Sequence, residues 1–270
     1  MTHEDRLRMV EDHWNREVEA GCGYTVPALT LTRDLIEEYI AGRQDELPGI
    51  EDAMEPRHLL ADVERKDVLC LASGGGQESA VFGLLGASVT VLDLCEGQLQ
   101  ADREAAQHYR YEVKTVKGDA CDLSALGEAY FDIVYQAPSM GWIPDVRAVY
   151  RSVHRVLRPG GLYRVAIGNP AVHLAEWDGT GYRILGRYKS GPVFRDAAGV
   201  ENMEEGEPTG DHRHLFRDTL GGLAEAGFII RYVGEDSRPF REPVLGEPGS
   251  WTHAQHFLGV ELDVVAEKGS

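Results

Sequence analysis

Three consecutive glycines, Gly74, Gly75 and Gly76, close an apolar run in VLCLASGGGQES (68–79). A strand that ends in bare backbone and feeds a helix makes a ligand-binding turn. Without Cβ atoms a ligand approaches closely, and the helix N-terminus offers free N–H groups at the positive end of its dipole. Phosphate is the first ligand to consider. A mononucleotide loop needs a lysine after its last glycine, and here Gln77 and Glu78 follow Gly76. A dinucleotide loop needs a third small position, which counted from Gly74 falls on Ser79, and Glu78 puts negative charge where a pyrophosphate would rest. Nicotinamide dinucleotides are disfavoured by this but stay open, because the third position tolerates small residues.

S-adenosylmethionine (SAM) carries no phosphate; it presents an amino-acid end, a sulfonium, a ribose and an adenine. Its amino-acid end can rest on a glycine turn, and its ribose hydroxyls call for a carboxylate at the end of the second strand. Asp93 stands there, 17 positions after Gly76. Asp119, in KGDACDL just after a third strand, is placed to accept from the adenine amine. Each acid has a plainer reading, Asp93 as a helix N-cap and Asp119 as a turn residue.

The elements that must hold these residues can be read from periodicity. Residues 67–73, 88–94, 111–119, 131–137 and 162–168 read as strands, and 77–86, 97–109 and 144–157 as helices between them, with RPGG (158–161) as a turn. Strands alternating with helices imply right-handed crossovers and a parallel sheet covered on both faces. Two helices precede this core, 4–20, with Leu7, Val10, Trp14 and Val18 at helical spacing, and 31–42, with Thr32 as N-cap. A helix (215–228) and two strands (229–236 and 256–268) follow. The Gly-, charge- and aromatic-rich stretch 169–213 breaks the rhythm and reads as a lid insertion, with a short strand pair in YRILGRYKSG. The expected organisation is one structural domain: a helical cap (1–65), a Rossmann-like core (66–168), the lid (169–213) and a tail completing the sheet (214–270).

Composition sets outer limits. The 270 residues are 43% hydrophobic, with a formal net charge of −18, so a phosphate backbone is repelled and nucleic acid is not an expected partner. No run of transmembrane length or signal peptide is read, so a membrane is not expected either. Cys22, Cys70, Cys95 and Cys121 are scattered, which suggests reduced thiols in a cytoplasmic protein and no zinc site. No metal is expected.

Five blocks in order, VLCLASGGGQES, VTVLDLCEGQL, VKGDACDLSAL, FDIVYQAPSM and VHRVLRPGGLYRVAI, resemble class I SAM-dependent methyltransferases, densely over about residues 60–170 and more loosely over 215–268. The resemblance implies an α/β fold with a seven-stranded, mostly parallel sheet whose last strand runs antiparallel. It implies methyl transfer from SAM to a small-molecule acceptor, yielding S-adenosylhomocysteine (SAH), in a monomer or homodimer. The cofactor contacts it implies are Ala72, Ser73, Gly74, Gly75, Gly76, Gln77, Asp93, Leu94, Gln98, Gly118, Asp119, Ala120, Cys121, Gln136, Ala137 and Ser139. The family often carries an acid on the first strand before the glycines, and here that place is Cys70. Candidates for a base or positioning group are His173, His214 and Tyr24, while Trp14 and Trp142 read as core aromatics. A SAM-binding protein without methyl transfer, or an NAD(P)-dependent oxidoreductase, are the competing readings.

Overall fold

A computed structural model describes residues 2–51, 54–184, 187–195, 201–203, 206–235, 247–250, 253–254 and 257–269. The apolar runs form the strands of one central sheet: β1 (Asp67–Leu71), β2 (Ser88–Asp93), β3 (Val113–Lys117), β4 (Phe131–Gln136) and β5 (Leu157–Gly168). Between them run α3 (Glu78–Leu84), α4 (Glu96–Tyr109) and α5 (Val146–Val156), preceded by α1 (His3–Ala20) and α2 (Arg33–Ile40). The chain continues through β6 (Ala175–Trp177), β7 (Tyr182–Ile184), β8 (Gly191–Arg195), β9 (Glu201–Asn202) and β10 (Glu207–Arg213). It ends with α6 (Phe216–Glu225), β11 (Phe228–Glu235) and β12 (Glu261–Lys268). The central sheet has seven strands in the order β11-β12-β5-β4-β1-β2-β3. β1 to β5 pair in parallel, and β12 runs antiparallel to both β5 and β11.

Parity along each strand divides the core in two. Leu69 and Leu71 face Val149, Tyr150 and Val153 of α5, whereas Val68 and Cys70 face Phe82 of α3 and Ile36 and Tyr39 of α2. α2 is therefore part of the sheet's covering layer. α1 is held differently: Thr2 caps it in a reciprocal capping box with Asp5, and among its residues only Val10 is fully buried.

Three sequence expectations are corrected. RPGG is not a turn between elements: it is an irregularity within β5, whose pairing with β4 jumps from Phe131–Leu157 to Ile133–Leu162. The strand pair expected inside YRILGRYKSG forms instead between β7 and the preceding β6, with Trp177 opposite Tyr182. The helix expected over 144–157 begins at Val146, because Asp145 is the N-cap and accepts from the Ala148 N–H at 2.9 Å. The rest of the insertion forms a small antiparallel sheet in the order β10-β8-β9. Among the described residues no helix is long and apolar enough to cross a membrane.

Candidate active site

The parallel strands end at one edge of the sheet, where a cavity of about 1020 Å³, including its open mouth, opens over β1, β2 and β4. Its floor is the glycine turn. Gly75 and Gly76 adopt φ of +105° and +73°, a region that L side chains avoid. A Cβ on Gly75 would run into the Tyr24 carbonyl, and one on Gly76 would lie 2.6 Å from the Ala101 carbonyl oxygen. These two glycines are thus required by packing beneath the cavity and do not line it, a correction to the expectation that all three face a ligand. Gly74 does line it, as do Ala72 and Ser73. Ala72 holds a φ of +45°, uncommon for a residue with a side chain.

Asp93 ends β2 and folds back over this turn. Its carboxylate accepts from the Gly74 N–H at 3.1 Å and the Cys95 N–H at 2.8 Å. The protein packed around it pushes its pKa up to about 6, a rise that those two N–H groups partly oppose. The Asp119 carboxylate accepts from the Cys121 N–H at 2.9 Å and lies 2.9 Å from Nε2 of His3. Burial, with Asp119 beside it, pushes the Cys121 thiol up to about 12, so it stays protonated. Leu94, Gln98, Gly118, Ala120, Cys121, Ala137 and Ser139 line the same cavity. Two of its buried polar atoms, Ser73 Oγ and Gln98 Oε1, have no hydrogen-bond partner among the described residues. In a folded protein such atoms mark a place where a polar ligand or water completes the bonding.

Gln77 is buried and also lines the cavity. Its Nε2 donates to the Gly23 and Val26 carbonyls at 2.7 and 3.1 Å, and its Oε1 accepts from the Glu51 N–H at 3.0 Å. It thereby holds the turn that carries Tyr24, which also lines the cavity.

Gln136 and His214 are not brought to the cavity. The Gln136 side chain turns into the core, accepting from the Tyr163 hydroxyl and donating to Ser139 Oγ at 2.9 Å. Strand parity puts it there, on the face shared with Val134, and that signal was available in the sequence. His214 is buried with Nε2 2.8 Å from the Ile143 carbonyl oxygen, and burial lowers its pKa, so as a neutral ring it donates there and ties β10 to the cavity wall. His173 sits in the turn Val172–Leu174, and its side chain lies outside the described residues.

The roof was missed in the sequence. His3, Arg6, Leu7, Val10 and Trp14 of α1 all line the cavity, together with Glu78, Pro138, Trp142, Ile143 and Pro144. The helical stripe Leu7, Val10, Trp14 was visible, but nothing in it says that its partner is the end of the sheet. Trp14 and Trp142 are cavity walls rather than interior core: Trp142 meets Trp14 edge-on at 5.7 Å and stacks on His13 at 4.6 Å. Gly210, at φ +95°, lets β10 pass against the Trp142 ring.

Comparison with known proteins agrees with this geometry. Residues 69–165 match the family model described as a methyltransferase domain. The chain is 30% identical over 233 residues to an uncharacterized methyltransferase of Bacillus subtilis (strain 168), spanning 84% of this chain and 89% of that protein. A solved SAM-dependent methyltransferase from Mesorhizobium loti superposes with a TM-score of 0.62 at 26% identity, over 78% of this chain and 95% of that one. The Burkholderia thailandensis 1,6-didemethyltoxoflavin-N1-methyltransferase, solved with its substrate and SAH, shares the fold at a TM-score of 0.51 and 21% identity, over 88% of this chain and 86% of that one. With a sheet of this topology, a glycine turn facing two strand-end carboxylates and a relative of nearly its full length, the chain belongs to the class I S-adenosylmethionine-dependent methyltransferases.

Proposed function

We propose that the acceptor of the methyl group is a small, largely apolar molecule bound between the glycine turn and the α1 roof. The observation that carries this is the composition of one cavity. Polar groups gather at the strand ends, while Leu7, Val10, Trp14, Pro138, Trp142, Ile143 and Pro144 supply an apolar wall. When bound, SAM supplies a methyl group already activated on a sulfonium for in-line displacement, leaving SAH.

The protein's part is to bind and align. Asp93 would accept from the ribose hydroxyls. Asp119, after releasing His3, would accept from the adenine amine, with the Ala120 and Cys121 N–H groups beside it and Leu94 as a wall. Gly74, Ser73 and Ala72 would hold the amino-acid end, and the unpartnered Ser73 Oγ and Gln98 Oε1 supply free bonding capacity. Ala137 and Ser139, just past β4 on the cavity wall, would meet both ligands. Apolar walls exclude water and hold the acceptor atom near the methyl group, the contribution that matters most when the leaving group is already activated. Tyr24 is the retained candidate for orienting a polar acceptor atom. The acidic surface and the enclosed site also favour a small acceptor over RNA or a protein chain.

The test is transfer of a labelled methyl group from SAM to three acceptor pools: small aromatic and aliphatic metabolites, total RNA and unfolded protein. Label entering only the small-molecule pool supports the reading, and label entering RNA or protein overturns it. A melting curve accompanies it, since ligand at about 100 times its dissociation constant adds roughly 2.7 kcal/mol of stability.

A further inference from the structure

Among the described residues three carboxylates line the cavity, each on a different element: Asp93 at the end of β2, Asp119 beyond β3, and Glu78 in the first turn of α3. Two of them are accounted for by the adenosine half of the cofactor. Glu78 is not, and sheet order places it elsewhere. β2 and β3 lie to one side of β1, and β4 and β5 to the other. Phe82, one turn beyond Glu78 on the same face of α3, meets the Tyr135 ring of β4 edge-on at 5.4 Å, and the Glu78 charge acts on Cys70 of β1, Tyr135 of β4 and Arg164 of β5 as well as on Asp102 of α4. Glu78 is 7% exposed, so it is a buried acid that reaches the cavity from the β1–β4 side.

That side is where the cofactor's amino-acid end would lie once its adenosine rests over β2 and β3. An amino-acid end carries an ammonium with three N–H donors, and a buried ammonium requires charged or carbonyl acceptors. Asp102 is not available for this. It is fully buried, does not line the cavity, and accepts from the Ser79 hydroxyl at 2.5 Å beneath the glycine turn. Nor does the cavity end of β1 offer an acid: Asp67 opens the strand at its far end and pairs with Arg158, and the position before the glycines is Cys70, a buried residue packed among Ile36, Tyr39 and Phe82. Glu78 and Asp102 both act on the Cys70 thiol, so a third carboxylate there would face two like charges in a dry interior.

We infer that Glu78 accepts the α-ammonium of the cofactor's amino-acid end, and that in this chain the acid for that group is carried by the first turn of α3 instead of by β1. The inference rests on the proposed placement of adenosine over Asp93 and Asp119. It assigns the glutamate after GGGQ a binding role and makes Cys70 a consequence of it: with the charge on α3, the strand end is free to be apolar.

The experiment is a binding cycle read by calorimetry, with SAH and its des-amino analogue, which keeps the carboxylate and lacks the ammonium. The intact protein and Glu78→Gln are compared. Wild type is expected to bind SAH at least tenfold more tightly than the analogue, and Glu78→Gln to bring that ratio close to one by weakening SAH alone. A ratio unchanged in the variant overturns the inference, whether affinity for both ligands falls together or stays as in wild type. If Glu78→Gln does not fold, Glu78→Asp keeps the charge on a shorter stem and is expected to shrink the ratio without abolishing it; a ratio equal to wild type in that variant counts against the inference. Asp93→Ala separates the two layers of the reading. If it leaves SAH binding intact, the adenosine placement fails and the inference falls with it. If it abolishes binding while the Glu78→Gln ratio is unchanged, the placement stands and only the inference fails.

Discussion

The floor and the roof of the cavity are built by opposite means. The floor is made of close backbone contacts: Gly76 against Ala101, Gly74 donating to Asp93, Asp102 buried under Ser79. The roof is a helix held by ring contacts to Trp142 and by polar links at its periphery, with His3 on Asp119, Glu11 on Lys117 at 2.6 Å, and Arg6 on the Gly210 carbonyl at 3.2 Å. Close backbone packing tolerates almost no change, whereas exposed ion pairs are worth about 0–1 kcal/mol each. A site built this way keeps its chemistry on an unyielding frame and joins its cover to that frame through side chains rather than backbone.

The contrast is sharpest when the floor is cut. Asp93→Ala removes the acceptor for Gly74 and the acid proposed for the ribose, and cofactor affinity should fall by about 100-fold or more, on the order of 3 kcal/mol. Calorimetric titration with SAH measures this, and a loss of less than fivefold would contradict the assignment. Gly76→Ala forces a side chain into left-handed backbone against Ala101. It should destabilise the unliganded protein by roughly 1–3 kcal/mol, read as a drop of several degrees in the melting midpoint.

Titration tests the same division between the loop and the insertion. Asp93 has its folded pKa raised to about 6 from 3.8, so its contribution to stability is present below about pH 4 and is lost as pH rises through 6. His212 in β10 is pushed down to about 4 from 6.5, by burial and then by His214 beside it. Its contribution has the opposite sign: present above pH 6.5 and lost as pH falls toward 4. Relative to wild type, Asp93→Asn should therefore gain stability as pH rises from 4 to 7. His212→Gln should gain as pH falls from 6.5 to 4. Parallel curves for the two variants in a pH series of melts would sink this account. The smallest effect is expected at the roof: His3→Ala should change the melting midpoint by less than about 2 °C and cofactor affinity by no more than about threefold.

What the sequence reveals follows the same line. Gly74, Asp93 and Asp119 were legible as residues gathered at one end of the sheet because each lies at or just past the end of a strand, and strand ends are read from short local patterns. The sheet and its antiparallel last strand followed from five motif blocks in order. The roof was not legible, because Leu7, Val10 and Trp14 describe an apolar face without naming what it covers, and the links that fix its place join residues about 100 or more positions apart. His214 was a candidate base in the sequence, but burial makes it a tie to the Ile143 carbonyl, and burial at the end of an inserted strand has no local signature. Gln136 was misplaced by attending to its polarity and overlooking its parity with Val134.

Gln77 joins segments that are distant in the chain. Its amide grips Gly23 and Val26 with one end and Glu51 with the other, while its own backbone opens α3. A connection that would otherwise breathe on its own is thus fastened to the glycine turn. Amide hydrogen exchange across 23–26 and at Glu51 should then rise and fall with that of the glycine turn, as one cooperative unit. A ligand that quiets the turn would slow exchange at Gly23, Val26 and Glu51, which do not line the cavity, so occupancy of the floor would be felt in the N-terminal connection as a change in its fluctuations rather than in its shape.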